Sequence, residues 1–245
     1  MEASNPTNDI VSYLKSQGIT KLYHFTDILN LESIFDNGGL YSWKACVLSG
    51  IKTNYSGGNK LSRMLDSRKG LDNYVRLSFV KQHPMMYVAK RELRINKPVI
   101  LEIDISAVEL PNTKFSDRNA TNNGAIIASG YQGAKNIHFS TVQQFYFDLD
   151  EEEKPFYQAE VLIFEKVPSS YILNFPELFK ELDTYRESNF FWPKSSYDTK
   201  PANQKTQEAP KSKFRKFISQ DGTMGCICWI IVAIIVIIIR AILRR

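Results

Sequence analysis

Apolar residues recur along this chain in short groups whose spacing changes several times, and each spacing predicts a different element. Ile10, Val11 and Leu14 predict a short helix over 9–17, capped by Asn8 or Asp9 and ended at Gly18. Alternation in Lys21-Leu22-Tyr23-His24-Phe25-Thr26 predicts a strand. The helical spacing of Ile28, Leu31, Ile34 and Phe35 then predicts a helix over 27–37, with Asn37-Gly38-Gly39 as its C-cap. Between 41 and 72, Gly, Ser, Asn and Lys interrupt every periodicity, which predicts a long ordered loop with one short helix at 61–65. Runs rich in β-branched and aromatic residues predict strands at 74–80, 98–105, 144–149 and 156–164. Few helical patterns separate them. The expected fold class is therefore α+β, with a mainly antiparallel β core and flanking helices.

The pattern changes twice more toward the C-terminus. From 193 to about 217 the chain is Lys, Ser, Pro, Gln, Asn and Thr with almost nothing apolar to bury, which predicts a flexible basic linker after a domain at 1–192. The run 225–239 then has no charged side chain, and counting on to Leu243 gives 19 residues, roughly 28 Å of helix. That length just spans a bilayer core of about 30 Å, so a transmembrane helix is expected at 225–243. Trp229 suits one interface, Arg240 can snorkel to the other, and Lys211 to Lys216 suits a cytoplasmic flank facing anionic lipid. The start of the chain is polar and lacks the pattern of an export signal, so the expected orientation is a single-pass C-terminal anchor with the catalytic body in the cytoplasm.

Composition narrows the chemistry. The 245 residues carry a formal net charge of +5, most of it in the tail, so a nucleic-acid groove must be a local patch on a nearly neutral body. Of three cysteines, Cys226 and Cys228 lie in the apolar run and Cys46 has no cue of activation, which excludes a disulfide framework and suits a reducing compartment. His24, His83 and His138 lack ligand spacing, so no metal is expected. There is no nucleophile elbow, and 55–60 lacks the spacing of a P-loop.

What remains is a set of motifs in a fixed order: Tyr23-His24-Phe25-Thr26; Tyr74-Val75-Arg76-Leu77-Ser78-Phe79 with His83-Pro84-Met85-Met86-Tyr87; Phe115-Ser116-Asp117-Arg118-Asn119-Ala120; and Gln158-Ala159-Glu160-Val161-Leu162-Ile163. Over roughly 20–167 this set resembles the DarT family, toxin enzymes that attach ADP-ribose from NAD to a base in single-stranded DNA.

The resemblance implies an NAD-dependent ADP-ribosyltransferase with no metal, an ADP-ribosyltransferase-like fold, single-stranded DNA as partner and a macrodomain-type antitoxin. Thymine is the favoured base and guanine the second candidate. Residue by residue it implies that His24, Phe25 and Thr26 form the NAD-binding turn and that Glu160 is the catalytic carboxylate. Chemistry supports the glutamate independently, because breaking the nicotinamide–ribose bond builds positive charge that a carboxylate stabilises. The family also uses an arginine upstream of the Tyr74 strand for NAD and catalysis. Arg63 and Arg68 both lie in that window, and Arg63 is preferred because it falls in the predicted helix at 61–65, whereas Arg76 reads as structural. Asn119 stands where the family commonly has histidine; it can hydrogen-bond a base but cannot carry a proton at neutral pH. Asn119 and Tyr131, within an expected recognition loop at 121–143, are the expected DNA-binding residues. Two other readings use the same motifs: an ADP-ribosyltransferase acting on RNA or protein, and a non-catalytic membrane-tethered module that binds NAD or nucleotides.

Overall fold

The structure, a computed structural model, describes residues 9–190. The expected boundary at 192, the linker at 193–217 and the membrane helix at 225–243 lie outside the described residues. Among the described residues no helix is long and apolar enough to cross a membrane.

Among the described residues eight strands form two sheets: β1 Lys21–Asp27, β2 Gly39–Tyr41, β3 Tyr74–Ser78, β4 Pro98–Asp104, β5 Lys114–Ser116, β6 Ile127–Ser129, β7 Glu160–Phe164 and β8 Lys166–Pro168. Six of them make one sheet in the order β4-β1-β3-β7-β5-β6, and β2 pairs with β8 in a small second sheet. Every pairing is antiparallel. Nine α-helices accompany the strands among the described residues: α1 Ile10–Ser16, α2 Leu31–Asp36, α3 Trp43–Ser49, α4 Lys60–Arg68, α5 Pro84–Arg91, α6 Gly130–Lys135, α7 Phe139–Val142, α8 Lys154–Tyr157 and α9 Phe175–Phe190. This is an α+β fold with a mainly antiparallel sheet.

Strand alternation divides the sheet into two faces. Val75 and Leu77 of β3, Val161 and Ile163 of β7, and Phe115 of β5 belong to the main core, together with Leu14 of α1, Ala134 of α6, and Leu178 and Leu182 of α9. Each such side chain stabilises the fold by roughly 1.5–3 kcal/mol when fully buried. The alternate positions Arg76, Ser78 and Glu160 therefore belong to the other face. Register puts Ser78 of β3 and Ser116 of β5 on either side of Glu160.

Several expected elements differ from those observed. The helix expected over 27–37 opens as strand and a 3-10 turn at Ile28–Asn30. Asp27 is held as the end of β1, because its carboxylate accepts from the amides of Leu29, Asn96 and Lys97. The loop expected over 41–72 contains α3 and α4, capped by Ser42 and Asn59. The short helix expected at 61–65 is α4, one residue longer at its start and three at its end, while α3 escaped the periodicity argument because Cys46 is its only buried residue.

The strand expected at 144–149 is instead a 3-10 turn at Tyr146–Asp148. Its alternation comes from aromatic rings that pack on one another, Phe145 on Phe147 and Tyr146 on Phe147 and Tyr157. The strand expected at 156–164 begins only at Glu160, since Pro155 sits in the first turn of α8. The recognition loop expected at 121–143 is largely regular structure, β6, α6 and α7, whose Ala134, Ile137, Phe139 and Val142 are core.

Candidate active site

A cavity of about 340 Å³ lies against the Arg76–Glu160 face. Its lining includes the Tyr23–Thr26 end of β1, the 55–58 loop, Trp43 of α3, Arg63 and Asp66 of α4, Arg76 and Ser78 of β3, His83, Asn119 and Glu160. The site is thus built where several separate segments meet on the sheet.

Glu160 opens β7 and is 6% exposed. Two donors converge on one of its oxygens: Arg76 Nη1 lies 2.5 Å from Oε2, and the amide of Ala120 donates to the same Oε2 over 2.9 Å. Oε1 has no hydrogen-bond partner among the described residues. The second arm of the guanidinium, Nη2, is paired with Asp66. Burial alone would lower the pKa of Arg76, but the carboxylates of Glu160 and Asp66 outweigh it and raise it. Burial raises the pKa of Asp66 against the opposing pull of Arg76. One guanidinium therefore serves two carboxylates, and the cluster keeps one formal negative charge.

The β1 end is fixed by buried polar groups. His24 Nδ1 is 2.9 Å from the carbonyl oxygen of Arg76; a carbonyl can only accept, so Nδ1 carries the proton and Nε2 is left as an acceptor. Burial lowers the pKa of His24, so the ring is neutral at pH 7. Thr26 Oγ1 accepts from Asn30 Nδ2 at 3.0 Å, and the same Nδ2 donates to the carbonyl of Tyr55 at 2.6 Å. Asn30 Oδ1 accepts the amides of Asn54 and Tyr55. Asn30, 4% exposed, thus staples the 54–55 loop to the turn. Gly57 follows in that loop, where an added Cβ would stand 3.0 Å from the ring of Phe25.

Arg63 lies with its guanidinium carbon 3.5 Å from the centroid of Trp43, and its Nη2 donates to the carbonyl of Gly58 at 3.3 Å. Burial first, and Arg94 second, lower its pKa. Its Nε is buried with no partner among the described residues. His83 caps α5 by accepting from the amide of Met85 through Nδ1, so its proton sits on Nε2, which is likewise buried and unpartnered. Burial pushes the His83 pKa down to about 4. Two lining residues, Arg63 and His83, therefore each keep a buried donor without an acceptor among the described residues.

Asn119 lines the cavity, and its Oδ1 accepts from the amide and hydroxyl of Thr121. Its Nδ2 has no partner among the described residues, so the side chain offers a donor. His24, Phe25, Thr26, Arg63, Asn119 and Glu160 all come together around this cavity. Tyr131 does not. It belongs to α6, where Gly133 approaches Phe115 on the core face, and its ring packs edge-on against Tyr13 at 5.0 Å. Arg68 is also absent from the lining. Trp43, Asn30, Asp66, Arg76 and His83 are lining residues to which the motifs assigned no role. Only the placement of Arg76 on the same strand face as Glu160 was open to a reading of the alternation.

Among the described residues no group of three or more His, Cys, Asp or Glu could hold a metal ion. Residues 23–175 match the model of a family described as "ssDNA thymidine ADP-ribosyltransferase, DarT". Among solved structures, Thermus sp. 2.9 DarT in complex with ADP-ribosylated ssDNA superposes with a TM-score of 0.56 at 21% identity, covering 69% of this chain and 90% of that one. Thermus sp. 2.9 DarT in complex with NAD+ gives 0.53 at 20% identity, over 68% and 89% of the two chains. Thermosipho africanus DarTG in complex with ADP-ribose gives 0.55 at 22% identity, over 67% of this chain and 47% of that one. At these identities the likeness is one of fold. No curated protein matches the chain.

Proposed function

The chain belongs to the DarT family of ssDNA ADP-ribosyltransferases, and from that membership we propose that it moves ADP-ribose from NAD onto thymidine in single-stranded DNA, with Glu160 as the catalytic carboxylate. The observation that carries the residue assignment is the geometry of Glu160. It is buried at the cavity wall, held through Oε2 by Arg76 and the Ala120 amide, with Oε1 unengaged.

NAD supplies an ADP-ribosyl group whose bond to nicotinamide breaks. Positive charge builds on the ribose as it does so, and a carboxylate already dehydrated and oriented stabilises that charge without reorganising. His24, Phe25 and Thr26 would hold the nicotinamide end, the turn being kept rigid by Asn30. Arg63 and His83 line the same cavity and would face the phosphate and carbonyl oxygens. Asn119 Nδ2 would meet an acceptor on the base, since it can donate a hydrogen bond but cannot take up a proton.

Two further parts of the reading concern the setting of the enzyme: a macrodomain-type partner that removes the modification, and a membrane anchor at 225–243 supported by the unbroken apolar run. The enzymatic reading is tested by incubating the full chain with labelled NAD and oligonucleotides of single-stranded DNA with and without thymidine, and with RNA and protein in parallel. Label in thymidine-containing DNA alone is the expected result. Label in guanine-containing, thymidine-free DNA would reassign the base, and label in RNA or protein would reassign the acceptor.

A further inference from the structure

We propose, resting on the transferase reading above, that Arg76 is a positioning residue for Glu160: anchored by Asp66, its guanidinium holds Oε2 so that Oε1 is the oxygen offered to the ribose. Three observations carry this. The two arms of the guanidinium go to different carboxylates, Nη1 to Glu160 and Nη2 to Asp66. A planar fork tied at both tips has one orientation, which a single-point ammonium would lack. Both donors that reach Glu160, from Arg76 and Ala120, land on Oε2, which leaves one carboxylate oxygen directed by the other.

The charge balance is the third observation. A guanidinium against a catalytic carboxylate would by itself offset the negative charge that the ribose needs. Asp66 supplies a second carboxylate on the far side of Arg76, so orientation is gained while the cluster stays at one formal negative charge. Strand register allows the contact. Small Ser78 stands opposite Glu160, and Arg76, opposite Leu162, reaches diagonally past it. Arg63 makes no contact with Glu160 among the described residues; its guanidinium is engaged with Trp43 and Gly58.

The test is steady-state transfer by the full chain, from NAD to a thymidine-containing single-stranded oligonucleotide, with kcat and KM for NAD measured separately. Arg76→Gln should lower kcat by about 10- to 100-fold while KM for NAD stays within about threefold, because a misaimed catalytic group costs rate and not binding. Arg76→Lys should regain part of that loss, since it restores the charge without the fork. Asp66→Asn should lower kcat by about three- to tenfold, and should add nothing in the Arg76→Gln background, because it acts only through Arg76.

A wild-type kcat in folded Arg76→Gln, or a loss confined to KM, overturns the proposal. If Arg76→Gln does not fold, Asp66→Asn decides alone: a kcat loss at constant KM supports positioning, and an unchanged kcat refutes it. If the wild type transfers ADP-ribose to none of the DNA, RNA or protein acceptors, the transferase reading falls and takes the positioning role with it. If the wild type labels DNA and the variants match it, positioning alone falls.

Discussion

His24 donates from Nδ1 to the backbone carbonyl of Arg76 over 2.9 Å, while the side chain of Arg76 holds Glu160. The turn assigned to NAD and the carboxylate assigned to catalysis are therefore connected through a single residue. Displacement of β1 relative to β3 would be felt at both.

Glu160→Gln is expected to lower the transfer rate by on the order of 100- to 1,000-fold, the usual cost of losing a preorganised electrostatic group, with NAD affinity changed only severalfold. Single-turnover transfer and NAD titration on the same folded protein check it. Near-wild-type turnover would remove Glu160 from the catalytic role.

Arg63→Ala should weaken NAD binding about tenfold or more, the scale of one charge-assisted hydrogen bond, while Arg68→Ala leaves it within about twofold. Arg63 lines the cavity and carries a free Nε, whereas Arg68 is not among the lining residues. Calorimetric titration of both variants decides. Equal dissociation constants would move the role elsewhere.

Stability should fall as the pH drops from about 6.5 toward about 4 through His83, whose folded pKa is about 4 against 6.5 for the free group. The unfolded chain binds the proton in that window and the folded chain does not, so the neutral buried ring favours folding fully above 6.5 and progressively less below. The contribution is on the order of 3 kcal/mol across the window. Urea unfolding at pH 7, 5.5 and 4.5 on the wild type and His83→Gln measures it. The expected difference is a shallower dependence in the variant, and parallel curves would contradict it.

Asn30→Ala removes the donor to Thr26 and Tyr55 and the acceptor for Asn54 and Tyr55, leaving buried groups unpaired at a cost of about 2–4 kcal/mol. Thermal unfolding gives the cost, and NAD titration should show weaker binding because the 54–58 loop loses its anchor. An unchanged melting temperature would mean that solvent replaces these bonds freely.

The chain is expected to fractionate with membranes through 225–243 and to resist a carbonate wash. Val236→Lys should impair insertion by about 2.5–3.5 kcal/mol, the cost of a lysine near the centre of a spanning helix. Recovery of the unaltered full chain in the wash supernatant without detergent would refute the spanning helix.

Local order in the chain already determined much of this protein. Alternation placed β1, β3, β4 and β7 and hence the antiparallel class; the ordered motifs named His24, Phe25, Thr26, Asn119 and Glu160, the helix expected at 61–65 favoured Arg63, and all six meet at the cavity. Other features were decided by tertiary structure alone. Helix α3 lines the cavity with Cys46 as its only buried residue, so it left no hydrophobic period to detect. Tyr131 lies in a polar stretch that suggested a binding loop, yet α6 packs on the core side of the sheet. The cluster of Asp66, Arg76 and Glu160 joins residues 10 and 84 positions apart. Hydrophobic periodicity reports which side of an element is buried, but the partner of a charged side chain depends on strand order and register. That is why Arg76 reads in the sequence as one more strand residue and stands in the structure against the carboxylate.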